Sequence, residues 1–444
     1  MMKSKTFWVC IIFWVIFTLS RVIFHQPWYD EANAWELVRD FEWGSILDSL
    51  KYEGHFFVWY LILLPFAKLN LGYPYSMLLI NWFFCFVAII LLWRYAKFNN
   101  FVKFTITFSF PFFAYYPVVA RCYSVGIMLL FCLCAMYKDR LKHPIIYASI
   151  VFFCANTSLM ASVGALFLGA VLLFDLFKEK QKFDLKICLG IVLLYVITLF
   201  LQVFKLNMGG VPEDKIYGIT KEILLNPFAY FTPVVNAVLL VFFTVGFVAT
   251  LFRDKLVFGF LLITYGFLIS FFQFCYCGDF WHWYFLYIYL ICGCWLGFDR
   301  EVLQDKSKKI ITFLLCFISF LFIFDMKYEP RVFVSNSKNI AEFIKSNKNV
   351  HFIYFDNVLR STFPYLHDDN YDISYFENKN RTKDTIKFKE VKKYLKADKT
   401  NYSIWANCDE ISSIKSKNGD KIEFLLVKNF RNRYCVYKTE YVKK

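Results

Sequence analysis

The stretch FFVWYLILLPFAKL, residues 56–69, decides how the chain is threaded. As a helix it rises only about 21 Å, against a hydrocarbon core roughly 30 Å thick, and Pro65 interrupts it. Counted as a full span, it places Arg94, Lys97 and Lys103 outside and inverts the sidedness of many later loops. Read as a re-entrant or surface helix, it restores the usual excess of basic residues in cytoplasmic loops. Lys3/Lys5, Arg94/Lys97/Lys103, Lys138/Arg140/Lys142, Lys178/Lys180/Lys182/Lys186, Arg253/Lys255 and Arg300/Lys306/Lys308/Lys309 then share one side. That is about 18 basic residues, against about 8 in the short outer loops.

Working outward, apolar runs bounded by charge or turn residues predict helices over 6–24, 75–94, 103–118, 122–137, 144–158, 160–177, 187–204, 233–251, 256–275, 281–298 and 308–325. The expectation is an all-α polytopic membrane domain of about 11 transmembrane helices, N-terminus cytoplasmic and C-terminus extracytoplasmic. Composition agrees: 58% of the 444 residues are hydrophobic and the mean hydropathy is +0.45, whereas soluble domains are nearer 45–50% apolar. The first apolar run lacks a small-residue cleavage site near Arg21, so it reads as a retained span. A net charge of +15 without a basic stripe or nucleic-acid motif points to topology and anionic lipid surfaces, not to nucleic acid. From residue 326 the composition turns polar, with a helix-like SNSKNIAEFIKSN and strand-like VHFIYF, YDISYF, YSIWA, IEFLLV and YCVYK. The expected division is therefore 1–325, a transmembrane domain, and 326–444, a small soluble α/β domain outside the membrane. Most of the 14 cysteines lie in apolar runs; Cys408 and Cys435 can pair if the tail lies in an oxidising compartment.

Polar chemistry collects on the outer side. The loop after the first span carries His25, Tyr29, Asp30, Glu31, Arg39, Glu53 and His55; the next carries Arg121 and Tyr123; Asp279 and His282 sit at a later span mouth. Ionisable groups at a membrane boundary are costly, which invites a functional reading. Each has a plainer alternative. Asp30 can cap the helix AWELVRDFEW, Glu53 can be a solvated charge, His55 an interfacial anchor, Arg121 a snorkelling cation, and His282 part of an aromatic belt. Taken together, a carboxylate base beside a guanidinium able to hold phosphate bidentately suits group transfer from a lipid phosphate to a hydroxyl. His351 and His367 read as structural or surface residues, and the tail has no metal or nucleophile motif.

The Asp-Glu pair after the first span, the acidic turn before a short aromatic helix in YEGHFFVWYLILLP, and Arg121 at the next outer loop carry a family likeness. At these residues the membrane half resembles the GT-C superfamily of membrane glycosyltransferases, particularly bacterial relatives of protein O-mannosyltransferases and of the aminoarabinose transferase acting on lipid A. The resemblance implies inverting transfer of a sugar from a polyprenyl-phosphate donor to a glycan, lipid or protein acceptor at the outer surface of the cell membrane. It implies Asp30 as general base, with Glu31, Glu53 and His55 orienting the acceptor, binding a cation or shaping the loop; with Glu53, His55 and Arg121, the outer-side residues Tyr123 and His282 complete the candidate substrate-binding set. Arg121 would hold the donor phosphate. The resemblance fixes no cofactor and leaves a divalent cation at the acidic elements open. A lipid-linked oligosaccharide flippase or other transporter, and a polysaccharide polymerase or ligase, are the competing functions; a transporter is expected to keep polar groups near the midplane and to show repeated halves. The loop 205–232, with Gly209 and Gly210, is either a substrate gate or an inert surface loop.

Overall fold

Where water is absent, backbone polar groups must be satisfied within the protein, so apolar runs of this kind fold as helices. The computed structural model describes residues 5–50, 55–203, 254–275, 280–301, 305–322, 336–354, 361–366, 371–375, 391–406, 413–415, 420–430 and 434–443. It is mostly helical. In chain order the helices are α1 Lys5–Phe24, α2 Tyr29–Asp40, α3 Trp43–Leu50, α4 Phe57–Lys68, α5 Tyr75–Tyr95, α6 Asn100–Thr107 and α7 Tyr123–Met136. They continue with α8 Pro144–Ala155, α9 Leu159–Lys178, α10 Lys182–Val203, α11 Lys255–Phe274, α12 Phe280–Asp299, α13 Asp305–Leu321 and α14 Ser337–Ser346. Among the described residues four are long and apolar enough to cross a membrane: Lys5–Phe24, Tyr75–Tyr95, Leu159–Lys178 and Lys255–Phe272. The 12-residue α4 and α8 are apolar but shorter, α4 carrying Pro65 inside it. The span expected over 233–251 and the loop 205–232 lie outside the described residues.

The chain divides into two units: one of Met1–Phe24, Asp40–Leu71 and Tyr75–Pro330, the other of His25–Arg39, Gly72–Pro74 and Arg331–Lys444. A cut at 325/326 leaves residues 25–39 with the membrane domain; their contacts place them with the C-terminal segment.

In the first unit the straight helix expected over 103–118 is corrected. The structure gives α6, then a break, then a π-helical turn at Pro111–Tyr115. Pro111 has no N–H to continue the ladder, and it stands at the first position of the new helical segment, where that donor is not needed. Carbonyls left open in the π-helical turn and at its exit are met by side chains from elsewhere in the unit. The Trp14 indole donates to the Phe112 carbonyl (2.9 Å), while Asn81 Nδ2 and Ser124 Oγ both donate to the Tyr116 carbonyl (2.8 Å each), all buried. Each such carbonyl left unmet would cost about 1–3 kcal/mol. Lys103, expected at the cytoplasmic start of the 103–118 helix, is buried and donates to the Trp93 carbonyl near the end of α5 (2.9 Å), a favourable place for a cation. A second polar cluster ties helix ends together. Asp254 caps α11 through the amides of Leu256 and Val257 and pairs with Arg300 (2.9 Å), whose guanidinium also reaches the Tyr137 hydroxyl (3.4 Å). Arg140 lies over the Tyr137 ring and binds Asp175 (2.6 Å).

The second unit is built on a six-stranded mixed sheet of order β2-β1-β3-β6-β5-β4, with β1 Val350–Tyr354, β2 Ile373–Tyr375, β3 Thr400–Ala406, β4 Ser413–Lys415, β5 Lys421–Phe430 and β6 Tyr434–Val442. β1 runs parallel to β2 and β3, and the remaining pairings are antiparallel. Alternation along the strands gives two apolar faces. Ile353, Trp405, Ile422, Phe424, Cys435 and Tyr437 cluster on one; Phe352, Tyr354, Ile404 and Val436 pack with Ile340, Ala341 and Ile344 of α14 on the other. The helix-like and strand-like runs of the sequence correspond to α14, β1, β2, β3, β5 and β6, with β4 added. Cys435 is disulfide-bonded; Cys408 lies outside the described residues.

Asp372 knots the parallel end of this sheet. It accepts from Lys396 (2.6 Å), Lys399 (2.7 Å) and His351 Nδ1 (2.9 Å). The Lys396 and Lys399 ammonium groups, helped by His351, hold its carboxyl well below the ordinary carboxylate range. A carboxyl whose pKa is depressed on folding stabilises fully above the unfolded value, near about 3.9, and that contribution is lost as pH falls toward the folded one. Protection of the β1 and β3 amides from hydrogen exchange in the full-length protein is therefore expected to weaken on acidification below about pH 4, and Asp372→Asn to remove most of that pH dependence. An acid response identical in variant and parent would assign it to other groups.

Candidate functional site

Glu31 is the first sequence-derived site residue whose surroundings decide its role. Helix α2 begins at Tyr29, and its first ladder bond, Ala32 N–H to the Trp28 carbonyl (3.0 Å), makes Trp28 the N-cap. Glu31, third in the helix, accepts from the Trp28 amide (3.0 Å), the reciprocal half of a capping box. Its two oxygens also lie 3.0 and 2.9 Å from His25 Nε2, both side chains fully buried. The capping considered for Asp30 thus falls to Glu31, whose carboxylate is committed to scaffolding. Asp30 is the second residue of α2 and half-buried, near the positive end of the helix. The same unit holds the loop in place: Ser337 Oγ donates to the Pro27 carbonyl (3.3 Å), and the Tyr73 ring packs between Trp35 (5.5 Å) and Tyr365 (5.1 Å). Burial, with Tyr365, Glu31 and Glu36 nearby, pushes the Tyr73 phenol well above its ordinary range, so it stays a neutral hydroxyl.

The other unit gathers His55, Arg121, Tyr123 and His282, residues that lie far apart in sequence. His55 is positioned by its backbone. It forms an isolated antiparallel bridge to Ser158, continued by the amides of Phe56 and Val58 donating to the carbonyls of Thr157 and Asn156 (3.2 Å each). Ser158 is itself fixed as the N-cap of α9, accepting from the Ala161 amide (3.3 Å). Tyr123 opens α7, Arg121 precedes it by two residues, and His282 lies in the first turn of α12. The Tyr123 hydroxyl stands between His55 Nε2 (3.0 Å) and His282 Nε2 (2.7 Å). All four residues are at most 8% exposed, walled by Phe285, Tyr116, Phe272 and Trp281.

Arg121 Nη2 lies 3.3 Å from both ring nitrogens of His55. A point equally close to both in the ring plane would clash with Cε1, so the guanidinium lies over the ring face and is not held on either lone pair. Such stacking suits a planar guanidinium. One permanent cation, two imidazoles and a phenol, shielded from water, make a donor-rich site fit for an anion with several oxygens. Glu53 and Asp279 lie outside the described residues. Among the described residues no group of three or more His, Cys, Asp or Glu gathers to hold a metal ion.

One device at this site leaves no mark in the sequence. The Tyr289 hydroxyl of α12 is inserted into the first turns of α9, accepting from the Gly164 amide (3.0 Å) and donating to the Met160 carbonyl. Those two groups would otherwise bond each other as residues i and i−4. A Cβ on residue 164 would overlap the Tyr289 ring, so only glycine admits it.

Comparison with protein-family models, with curated proteins and with solved structures finds no match to this chain.

Proposed function

We propose that the chain is a multi-pass membrane glycosyltransferase of GT-C type. It moves a sugar from a polyprenyl-phosphate-linked donor to an acceptor hydroxyl at the outer surface of the cell membrane. The observation that carries the reading is the buried constellation of Arg121, His55, Tyr123 and His282, whose donor chemistry suits a phosphate ester. Support for the topology, about eleven spans with the C-terminal domain outside, comes from the distribution of basic residues and from a disulfide at Cys435, a bond favoured in oxidising compartments. In the reaction the Asp30 carboxylate takes the acceptor O–H proton. The oxygen bonds to the anomeric carbon from the face opposite the phosphate, and the C–O bond to phosphate breaks, its electron pair leaving with polyprenyl phosphate. Inversion is the outcome of a single displacement. The Arg121 guanidinium offsets charge growing on the departing phosphate.

A flippase is the second reading, favoured by the interrupted segment Phe108–Cys122, since broken helices line the pathways of many transporters. One experiment separates the two. Full-length protein in liposomes is given a polyprenyl-phosphate sugar and a pool of envelope glycans and lipids. The expected result is sugar transfer with inverted anomeric configuration, and for Arg121→Ala a donor KM raised at least about tenfold, as loss of a charged phosphate contact implies. Movement of lipid-linked sugar between leaflets without transfer would replace the transferase with a transporter.

A further inference from the structure

We infer that His282, Tyr123 and His55 form a proton relay that protonates the leaving lipid phosphate, a role additional to binding it and resting on the transferase reading above. The geometry is that of a wire. The Tyr123 hydroxyl has one proton and stands within hydrogen-bond distance of two imidazole nitrogens, His282 Nε2 at 2.7 Å and His55 Nε2 at 3.0 Å. A hydroxyl so placed donates to one nitrogen and accepts from the N–H of the other. A phenol with an imidazole nitrogen on each side is ordered to pass a proton along the chain, a property that anion binding alone does not call for. Arg121 on the face of His55 keeps out of the ring plane, so the imidazole can exchange protons at its in-plane nitrogens. Among the described residues the charged or titratable groups facing this chain of hydrogen bonds include Arg121 and the Tyr116 phenol. The latter is committed to the Trp281 carbonyl (3.0 Å).

Each transfer is balanced. His282 begins as imidazolium and gives its Nε2 proton to the Tyr123 oxygen; Tyr123 gives its own proton to His55 Nε2; His55 releases its Nδ1 proton to the phosphate oxygen that has just accepted the bonding electron pair from the anomeric carbon. His282 ends neutral, Tyr123 is unchanged, His55 has changed tautomer, and polyprenyl phosphate leaves as the monoanion. The acceptor proton meanwhile resides on Asp30. His55 is the group that touches phosphate, whereas Tyr123 and His282 act through it.

The test uses full-length protein in liposomes with the polyprenyl-phosphate sugar, measuring kcat, donor KM and the solvent deuterium effect on kcat from about pH 5 to 9. Wild type is expected to lose kcat toward alkaline pH, where His282 enters neutral, and to show a solvent isotope effect. Tyr123→Phe is expected to lower kcat about 10- to 100-fold at neutral pH, with donor KM within about twofold, a flattened alkaline limb and a diminished isotope effect. His282→Gln should reproduce these changes, and the double variant should be no slower than either single one. Unfolding temperatures of the variants check that each is folded. If one variant fails to fold, the other carries the test. A Tyr123→Phe enzyme with wild-type kcat and pH profile overturns the relay while leaving the transferase standing. A loss seen in KM alone overturns it too, assigning the three residues to binding. Absence of transfer by wild type removes the transferase reading and the relay with it.

Discussion

Asp30→Asn is expected, on the proposed transferase reading, to lower sugar transfer by at least about 10², with expression and membrane insertion unchanged, because a positioned general base contributes roughly 10² to 10⁴ in rate. The amide keeps the shape of the carboxylate and removes its ability to hold the acceptor proton. The neighbouring Glu31 takes the Trp28 amide and His25, while Asp30 is half-buried at the second position of α2, so the unfolding temperature of the variant is measured beside its rate to separate chemistry from structural damage. Glu31→Gln supplies the contrast. It weakens the buried pair with His25 and should lower the stability of the loop, with a smaller effect on kcat than the change at Asp30. A fall of 10² corresponds to about 2.7 kcal/mol of transition-state stabilisation. Transfer by Asp30→Asn at the wild-type rate would end the assignment of Asp30 as base, and a larger kinetic loss at Glu31 would move the base one residue along.

Much of the helical framework is legible because apolar runs such as Tyr75–Tyr95 and Leu159–Lys178 end at charges or turn residues, and a run of that length has few alternatives to a helix in lipid. The break before Pro111 is hidden for the opposite reason. Its surroundings, FTITFSFPFFAYY, carry no charge, and the groups that satisfy the π-helical turn after it, Trp14 and Asn81, come from helices far off in sequence. The residues of the candidate site are visible by type, as ionisable or aromatic groups in loops flanking spans. Their proximity is not. Nothing near His55 announces a backbone bridge to Ser158, and nothing near Tyr123 announces His282. The capping role of Glu31 is concealed because two adjacent acids look alike in a sequence. Only the start of α2 at Tyr29 shows which of them stands third in the helix and can reach back to the Trp28 amide.

Gly164→Val is expected to be among the most damaging single changes in the helical unit. Its Cβ would occupy space held by the Tyr289 ring, and that ring is packed against Phe260 (5.7 Å) and Phe285 (6.3 Å), so retreat is blocked. Overpacking of this kind costs about 1–3 kcal/mol. Displacing the Tyr289 hydroxyl from the Gly164 amide and the Met160 carbonyl adds about 1–3 kcal/mol more, since the buried groups lose their partners. Gly190→Ala is the control: no atom stands within 4 Å of its would-be Cβ and α10 is regular there, so exchange of glycine for alanine inside a helix should be neutral or stabilising by up to about 1 kcal/mol. Thermal unfolding in detergent is expected to show a clearly lowered midpoint for Gly164→Val and none for Gly190→Ala. The damage should also reach the site, because the wedge sits in the same turns of α9 that begin at Ser158, and Ser158 fixes the backbone of His55. A milder variant, Tyr289→Phe, removes the hydroxyl and keeps the ring. It should therefore alter donor use at temperatures where the protein is still folded. If Gly164→Val unfolds at the wild-type temperature, the tyrosine wedge is not the element that sets the start of α9, and the placement of His55 must be ascribed to the Ser158 bridge alone.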